Sequence, residues 1–214
     1  MIGIEQLSLS AQVAVVVAPV AVYFFLLGLL NSQPRPQLVS GRTDFILLNA
    51  AFLPVFCVPV LNYLAASAWA MPAVLGGLLA ATTLMAPRRY GSWVIYNISL
   101  PDALRAAERA LQAMGEPSQR RGRALVLAHR DIRLRLACLP LLRNVSISVD
   151  GSDLKAFGKA FEGLFGAELV AVPAGTTPMA VTFLLIGIAM LVAPLGLFAD
   201  RVPEMVRLIT DLVK

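Results

Sequence analysis

The sequence predicts a polytopic α-helical membrane protein, with four transmembrane helices arranged 3+1 and a small cytoplasmic α+β domain inserted between helices three and four. Three observations predict this class. Hydrophobic residues make up 58% of the 214 positions and charged residues only 14%, whereas about a quarter of a soluble protein is charged. Four runs, Ala11–Leu30, Phe45–Leu64, Ala68–Met85 and Met179–Phe198, contain no Asp, Glu, Lys, Arg or His. Each is close to the roughly 20 residues a helix needs to cross the hydrocarbon core. Finally, most of the arginines fall between the third run and the fourth.

Taken in chain order, residues 1–86 form an N-terminal membrane domain with helices at 11–30, 45–64 and 68–85. The first run reads as a retained anchor. Its leader carries Glu5 and no basic residue, and no small-residue cleavage site follows Leu30. Pro34 and Pro36 stop that helix. Ser40 or Thr43 can cap the second, and Asp44 then suits the positive end of its dipole. Ala65-Ala66-Ser67 leaves room for only a tight turn before the third run, which Pro72 and the Gly76-Gly77 pair interrupt.

Several residues in these runs suit packing against protein. Asn49 and Asn62 can hydrogen-bond across a helix interface, and Gly76 and Gly77 permit close backbone approach. Pro54 and Pro59 would kink the second helix. A ligand site within the membrane is not expected, because such sites are usually marked by an ionisable residue.

Residues 87–98 read as an interfacial segment. Arg88 and Arg89 abut the third run, and Trp93 and Tyr96 follow, a combination suited to the headgroup zone. The domain at 99–174 reads as helix, three antiparallel strands, helix, short strand. Ser99-Leu-Pro-Asp102 is a helix-start signature, and Gly115 ends that helix. Gln119–Arg123 reads as a turn. Ala124–His129, Ile132–Leu139 and the alternating stretch through Val145, Ile147 and Val149 read as strands. Phe157, Phe161 and Phe165 form one stripe of a second helix over 152–164, with Gly166 as its stop and Glu168–Val172 as a last short strand. The fourth transmembrane helix is expected at 178–199. An amphipathic interfacial helix is expected at 201–214, where Val202, Met205, Val206, Ile209, Leu212 and Val213 share one face.

Arginine placement predicts the orientation. With the domain inside, the inner segments hold 15 basic residues, against Arg201, Arg207 and Lys214 outside. The positive-inside rule then places both termini outside and residues 87–178 in the cytoplasm, in a membrane that the Ala-, Leu- and Arg-rich composition suggests is a bacterial inner membrane.

Catalytic equipment is sparse. His129 is the lone histidine, and no nucleophile is paired with it. Cys138 shares the parity of Leu134 and Leu136, which reads as core, while Cys57 lies in an apolar run. No phosphate loop, zinc spacing or His-Glu-x-x-His motif occurs, so no cofactor, metal or catalytic residue is assigned. Residues 87–174 carry 13 basic and 8 acidic side chains, the whole net charge of +5. Beyond the interfacial segment the aromatic residues of this domain are the three phenylalanines of one helix stripe, with none interleaved among the arginines as a nucleic-acid platform would need. Anionic lipid is therefore the favoured partner of the charge, alongside other integral membrane subunits or further copies of the chain. The functional expectation is a non-enzymatic structural or accessory subunit of a larger membrane complex. A transport or channel component acting as an oligomer is the alternative, and a membrane-bound enzyme the least favoured.

Overall fold

The structure is a computed structural model and describes residues 9–63, 69–175 and 177–199. The expected turn at 65–67 and the expected helix at 201–214 lie outside the described residues. In chain order the elements are α1 (Leu9–Ser32), β1 (Gln37–Ser40), α2 (Gly41–Tyr63), α3 (Ala70–Met85), β2 (Ser92–Tyr96), α4 (Leu100–Ala113), β3 (Ser118–Arg121), β4 (Ala124–Leu127), β5 (Ile132–Leu139), a 3₁₀ turn (Pro140–Leu142), β6 (Asn144–Gly151), α5 (Leu154–Val170) and α6 (Pro178–Ala199).

The four-span expectation is overturned. Among the described residues two helices, not four, are long and apolar enough to cross a membrane: Val13–Ser32 of α1 and Gly41–Val60 of α2. Only 17% of each window is buried, so neither is the core helix of a globular domain. The third run forms a helix of only 16 residues, about 24 Å at 1.5 Å per residue, short of a hydrocarbon core about 30 Å thick. The apolar stretch of α6, Pro178–Ala193, falls in the same shorter class.

The strand count is corrected as well. One antiparallel sheet of six strands runs in the order β1-β2-β6-β5-β4-β3. Two of its strands come from segments expected to lie outside the domain. The connection between the first two helices supplies β1, which pairs Leu38 with Ile95 and Val39 with Val94. The segment read as interfacial supplies β2, which pairs Trp93 with Ile147. The Gln119–Arg121 stretch read as a turn is strand, and the turn itself contracts to Gly122 and its neighbours, with Gly122 at φ +63°. Glu168–Val172 is not a strand. The stripe of Phe157, Phe161 and Phe165 extends to Leu169, all four buried, so α5 continues through Gly166 to Val170.

The sheet separates two apolar regions. On one face Trp93, Ile95, Leu125, Leu134, Val145 and Ile147 pack with Leu104 and Leu111 of α4 and the α5 phenylalanines. Those rings stack in series, with centroids 5.7 Å apart from Phe157 to Phe161 and 5.0 Å from Phe161 to Phe165. The opposite face, at its β1–β2 end, carries Val39, Val94 and Tyr96 into a second cluster with Leu27 and Phe24 of α1 and Phe183 of α6. Helix α4 starts where its sequence signature puts it. Ser99 Oγ accepts from the Asp102 amide at 3.3 Å and lies 2.5 Å from Oδ2 of the Asp102 carboxyl. The Ser99 hydroxyl, and then Arg105, hold that carboxyl below the usual carboxylate range.

Candidate functional site

The site with the most built geometry is the seam where the helix ends meet the sheet. The C-terminal end of α1 and the N-terminal ends of α2 and α6 all arrive there. The α1–α6 contact is antiparallel and very close. A Cβ on Gly28 would stand 2.6 Å from Leu184 Cγ, and one on Gly187 would stand 2.9 Å from the Phe25 nitrogen and 3.0 Å from the Ala21 oxygen. Only glycine allows the backbones this separation. Tyr23 and Phe24 meet Phe52 and Phe183 edge-on and tilted, with centroids 6.4 and 5.7 Å apart, fixing α1 between α2 and α6.

Polar bonds clamp the sheet onto these ends. The Tyr96 hydroxyl donates to Asp44 Oδ1 in the first turn of α2. Burial of the ring first, and the Asp44 carboxylate second, raise the Tyr96 pKa well above its ordinary value. Ser40 Oγ caps α2 by accepting from the Thr43 amide at 3.1 Å. The Asn97 side-chain nitrogen donates to the Gln33 oxygen at 2.9 Å, from a residue at φ +60° that asparagine tolerates better than most side chains. Gly41 leaves no room for a side chain, since its Cβ would lie 2.1 Å from Ser92 Oγ.

The residues singled out from sequence divide sharply. Asn49 sits in α2, partly buried, and its side-chain nitrogen donates to its own helix at Phe45 O, 2.8 Å away. Asn62 lies near the end of α2, where only its backbone is described. Gly76 and Gly77 lie in α3 with nothing within 4 Å of either Cβ position. Arg88 and Arg89 are exposed beyond the end of α3, with the Arg89 guanidinium 5.6 Å from the Tyr90 ring centroid. Trp93 requires correction as an interfacial residue. It is 1% exposed, inside the domain core against Phe161, so its ring is closed off from a headgroup layer. Tyr96 is also buried, but on the helix-bundle side of the sheet.

Where the 86–91 connection crosses from α3 onto the sheet, a cavity of about 400 Å³ opens between Arg88, Ser92, Ser148, Asp150 and Leu154. Nearby, Gly158 lets α5 approach the same connection closely, because a Cβ there would meet Tyr90 at 2.7 Å. Asp150 is engaged by Arg135 at 3.2 Å. Arg88 enters no ion pair among the described residues.

The Tyr96–Asp44 clamp is not legible in the sequence, although each residue stands out there on other grounds. A carboxylate opening an apolar helix, with a tyrosine in a distant β-forming stretch, was the available signal. Nothing in either segment specified the pairing. Among the described residues no group of three or more His, Cys, Asp or Glu side chains could hold a metal ion. His129 is exposed in the β4–β5 turn, and Cys57 and Cys138 are both free. Comparison of the chain with protein-family models, with curated proteins and with solved structures gives no match.

Proposed function

We propose that the chain is a non-enzymatic structural or accessory subunit of a larger integral-membrane assembly, whose basic domain docks on a partner or on the anionic leaflet. The observation that carries this reading is α3. It is apolar along its whole length, and it packs only lightly, against α2. Leu79 is 63% exposed and Leu84 is 84% exposed. A Leu side chain left in water forfeits about 1.5–3 kcal/mol, so an exposed row of them calls for lipid or protein cover. Ala73, Gly77 and Ala81 recur at four-residue spacing on this helix, a small-residue stripe suited to close helix approach.

In this reading the sheet side faces the cytoplasm of a bacterial inner membrane, because the arginine excess lies there. The partners are other integral subunits or further copies of the chain. The test is purification from native membranes in a gentle detergent, with the composition of the complex determined. Gly76→Leu with Gly77→Leu is expected to lose partners without loss of insertion. Retention of every partner at wild-type yield would mean that α3 faces only lipid, and the assembly reading would fall.

A further inference from the structure

The two faces of the sheet differ in charge as well as in cover. Residues directly opposite one another in an antiparallel ladder project from the same face. Val94, which packs on the helix bundle, pairs with Ser146, and Ser146 pairs with Ala137. One step along the same face, Ser92 pairs with Ser148, Ser148 with Arg135, and Arg135 with Ala124. Arg133 pairs with Val126, and Arg121 with Ala124. Arg121, Arg133 and Arg135 therefore stand on the face that meets the helix ends. They lie two to four strands beyond β2, about 10–19 Å to the side at 4.8 Å per strand. The sheet overhangs the ground beside the bundle and presents arginines on its underside.

That underside is uncovered by the described residues. Arg121, Arg133, Arg135, Ala137, Ser146 and Ser148 are all exposed. Asp150 is the one acidic side chain among these positions, and Arg135 holds it. The opposite layer is balanced: α4 and α5 carry four basic and four acidic residues between them, and Arg105–Asp102 and Arg109–Glu168 pair there. The Arg88 cavity opens at the bundle end of the overhang, beside Gly41 at the start of α2.

We propose that this overhanging face binds the anionic phospholipid headgroups of the leaflet beside the helices, with the Arg88 cavity as the recess nearest the bundle. The proposal rests on the reading of the chain as a membrane subunit and adds to it a surface and an occupant. Charge complementarity argues for an anionic ligand. Continuity with the helix ends argues for the leaflet, because a face resting on membrane helices meets headgroups wherever it extends past them. The side-chain inventory argues against a protein occupant. Between the arginines stand Ala124, Ala137, Ser146 and Ser148, with none of the exposed aromatic anchors that a protein interface core concentrates.

The test uses the full chain in lipid nanodiscs, with Cys57 and Cys138 replaced by Ala and a fluorophore on Gln119→Cys at the rim of the overhang. Quenching by nitroxide on the phosphatidylcholine headgroup reports distance to the leaflet. It should be stronger in discs containing 30% phosphatidylglycerol than in phosphatidylcholine alone, and should be reversed by 0.5 M salt. Arg121→Gln, Arg133→Gln and Arg135→Gln together should lower the docked-to-undocked ratio about 100-fold, at about fivefold per arginine near an anionic surface. Arg105→Gln, Arg109→Gln and Lys159→Gln, the same charge change on the helix layer, should leave the ratio within about twofold. Equal effects from the two triple variants, or no dependence on phosphatidylglycerol, would overturn the proposal. So would quenching lost only when a co-purified protein is stripped, which would assign the face to an acidic partner. Partner retention is read on the same preparations. Partners kept without a lipid effect reject the docking face alone, whereas a monomer lacking partners rejects the assembly reading.

Discussion

Gly28 and Gly187 on one side of the helix bundle, and Gly76 and Gly77 on the other, are the same residue in similar apolar helices, yet they sit in opposite surroundings. The first two are filled sites, where any side chain would strike a neighbouring helix, its backbone included. The second two face open space. A glycine in an apolar helix therefore does not by itself mark a contact. Its neighbours do, and for Gly76 and Gly77 of α3 the described residues supply none. The α1–α6 seam shows how this chain builds a helix interface when it has both halves, and α3 has the small-residue half without the other.

The largest expected effect breaks the seam. Gly187→Leu forces a branched side chain against the backbone of α1 and should destabilise the protein by about 3 kcal/mol, the upper part of the overpacking range. Gly76→Leu, with nothing to strike, should lose no stability in detergent and gain up to about 1 kcal/mol from helix propensity. Reversible chemical unfolding of both variants makes the comparison. Similar losses from the two would show that the bundle is not organised around the α1–α6 seam.

A smaller effect tests how the seam is tied to the sheet. Tyr96→Phe keeps the buried ring and removes the donor to Asp44, which should cost about 2 kcal/mol, as for hydrogen bonds to charged groups. It should also change the alkaline behaviour. The folded state raises the Tyr96 pKa, so the folded chain holds this proton more tightly than the unfolded chain. The stabilisation is therefore complete below the unfolded value of about 10 and declines as pH rises above it. Stability of the wild type should fall above pH 10 more steeply than that of Tyr96→Phe. Parallel curves would mean that the hydroxyl is not coupled to folding.

How much of this could be read in advance depended on how local each signal was. The Ser99–Asp102 helix start needs four consecutive residues, and the phenylalanine stripe of α5 needs only helical periodicity. Both are present, although α5 runs on past Gly166 to Val170. Strand β1 is four residues, too few for alternation to be told from loop, and its partner lies more than fifty residues away. Strand β2 was misassigned for a different reason. Tryptophan and tyrosine after two arginines fit a headgroup belt, and alternation is hidden because Trp93 and Ile95 bury on one face while Tyr96 buries on the other. The α3 run lacks charge over a span's length, yet its helix covers 16 residues, because the absence of charge does not set helix length. Alternation within β5 sets Arg133 and Arg135 on one face, but that Arg121 joins them, and that this face meets the helix ends, are properties of register.

The smallest expected effect is a gain, and it sharpens the opening comparison further. Gly→Ala adds one methyl and relieves the entropic cost of glycine in a helix, about 0.5–1 kcal/mol per site. At Gly76 and Gly77 that gain should appear undiminished, because the added Cβ meets nothing within 4 Å. At Gly28 and Gly187 the same methyl must displace a leucine or backbone atoms already 2.6–3.0 Å away, so the sign should reverse. Unfolding in detergent should thus rank Gly76→Ala and Gly77→Ala above wild type, and Gly28→Ala and Gly187→Ala below it. The decisive step is to repeat the measurement on the complex extracted from native membranes. If α3 meets a partner helix through these glycines, the isolated chain gains stability from Gly77→Ala while the complex loses it. If the gain is the same in both settings, no helix approaches α3 at this point, and the open glycines face lipid.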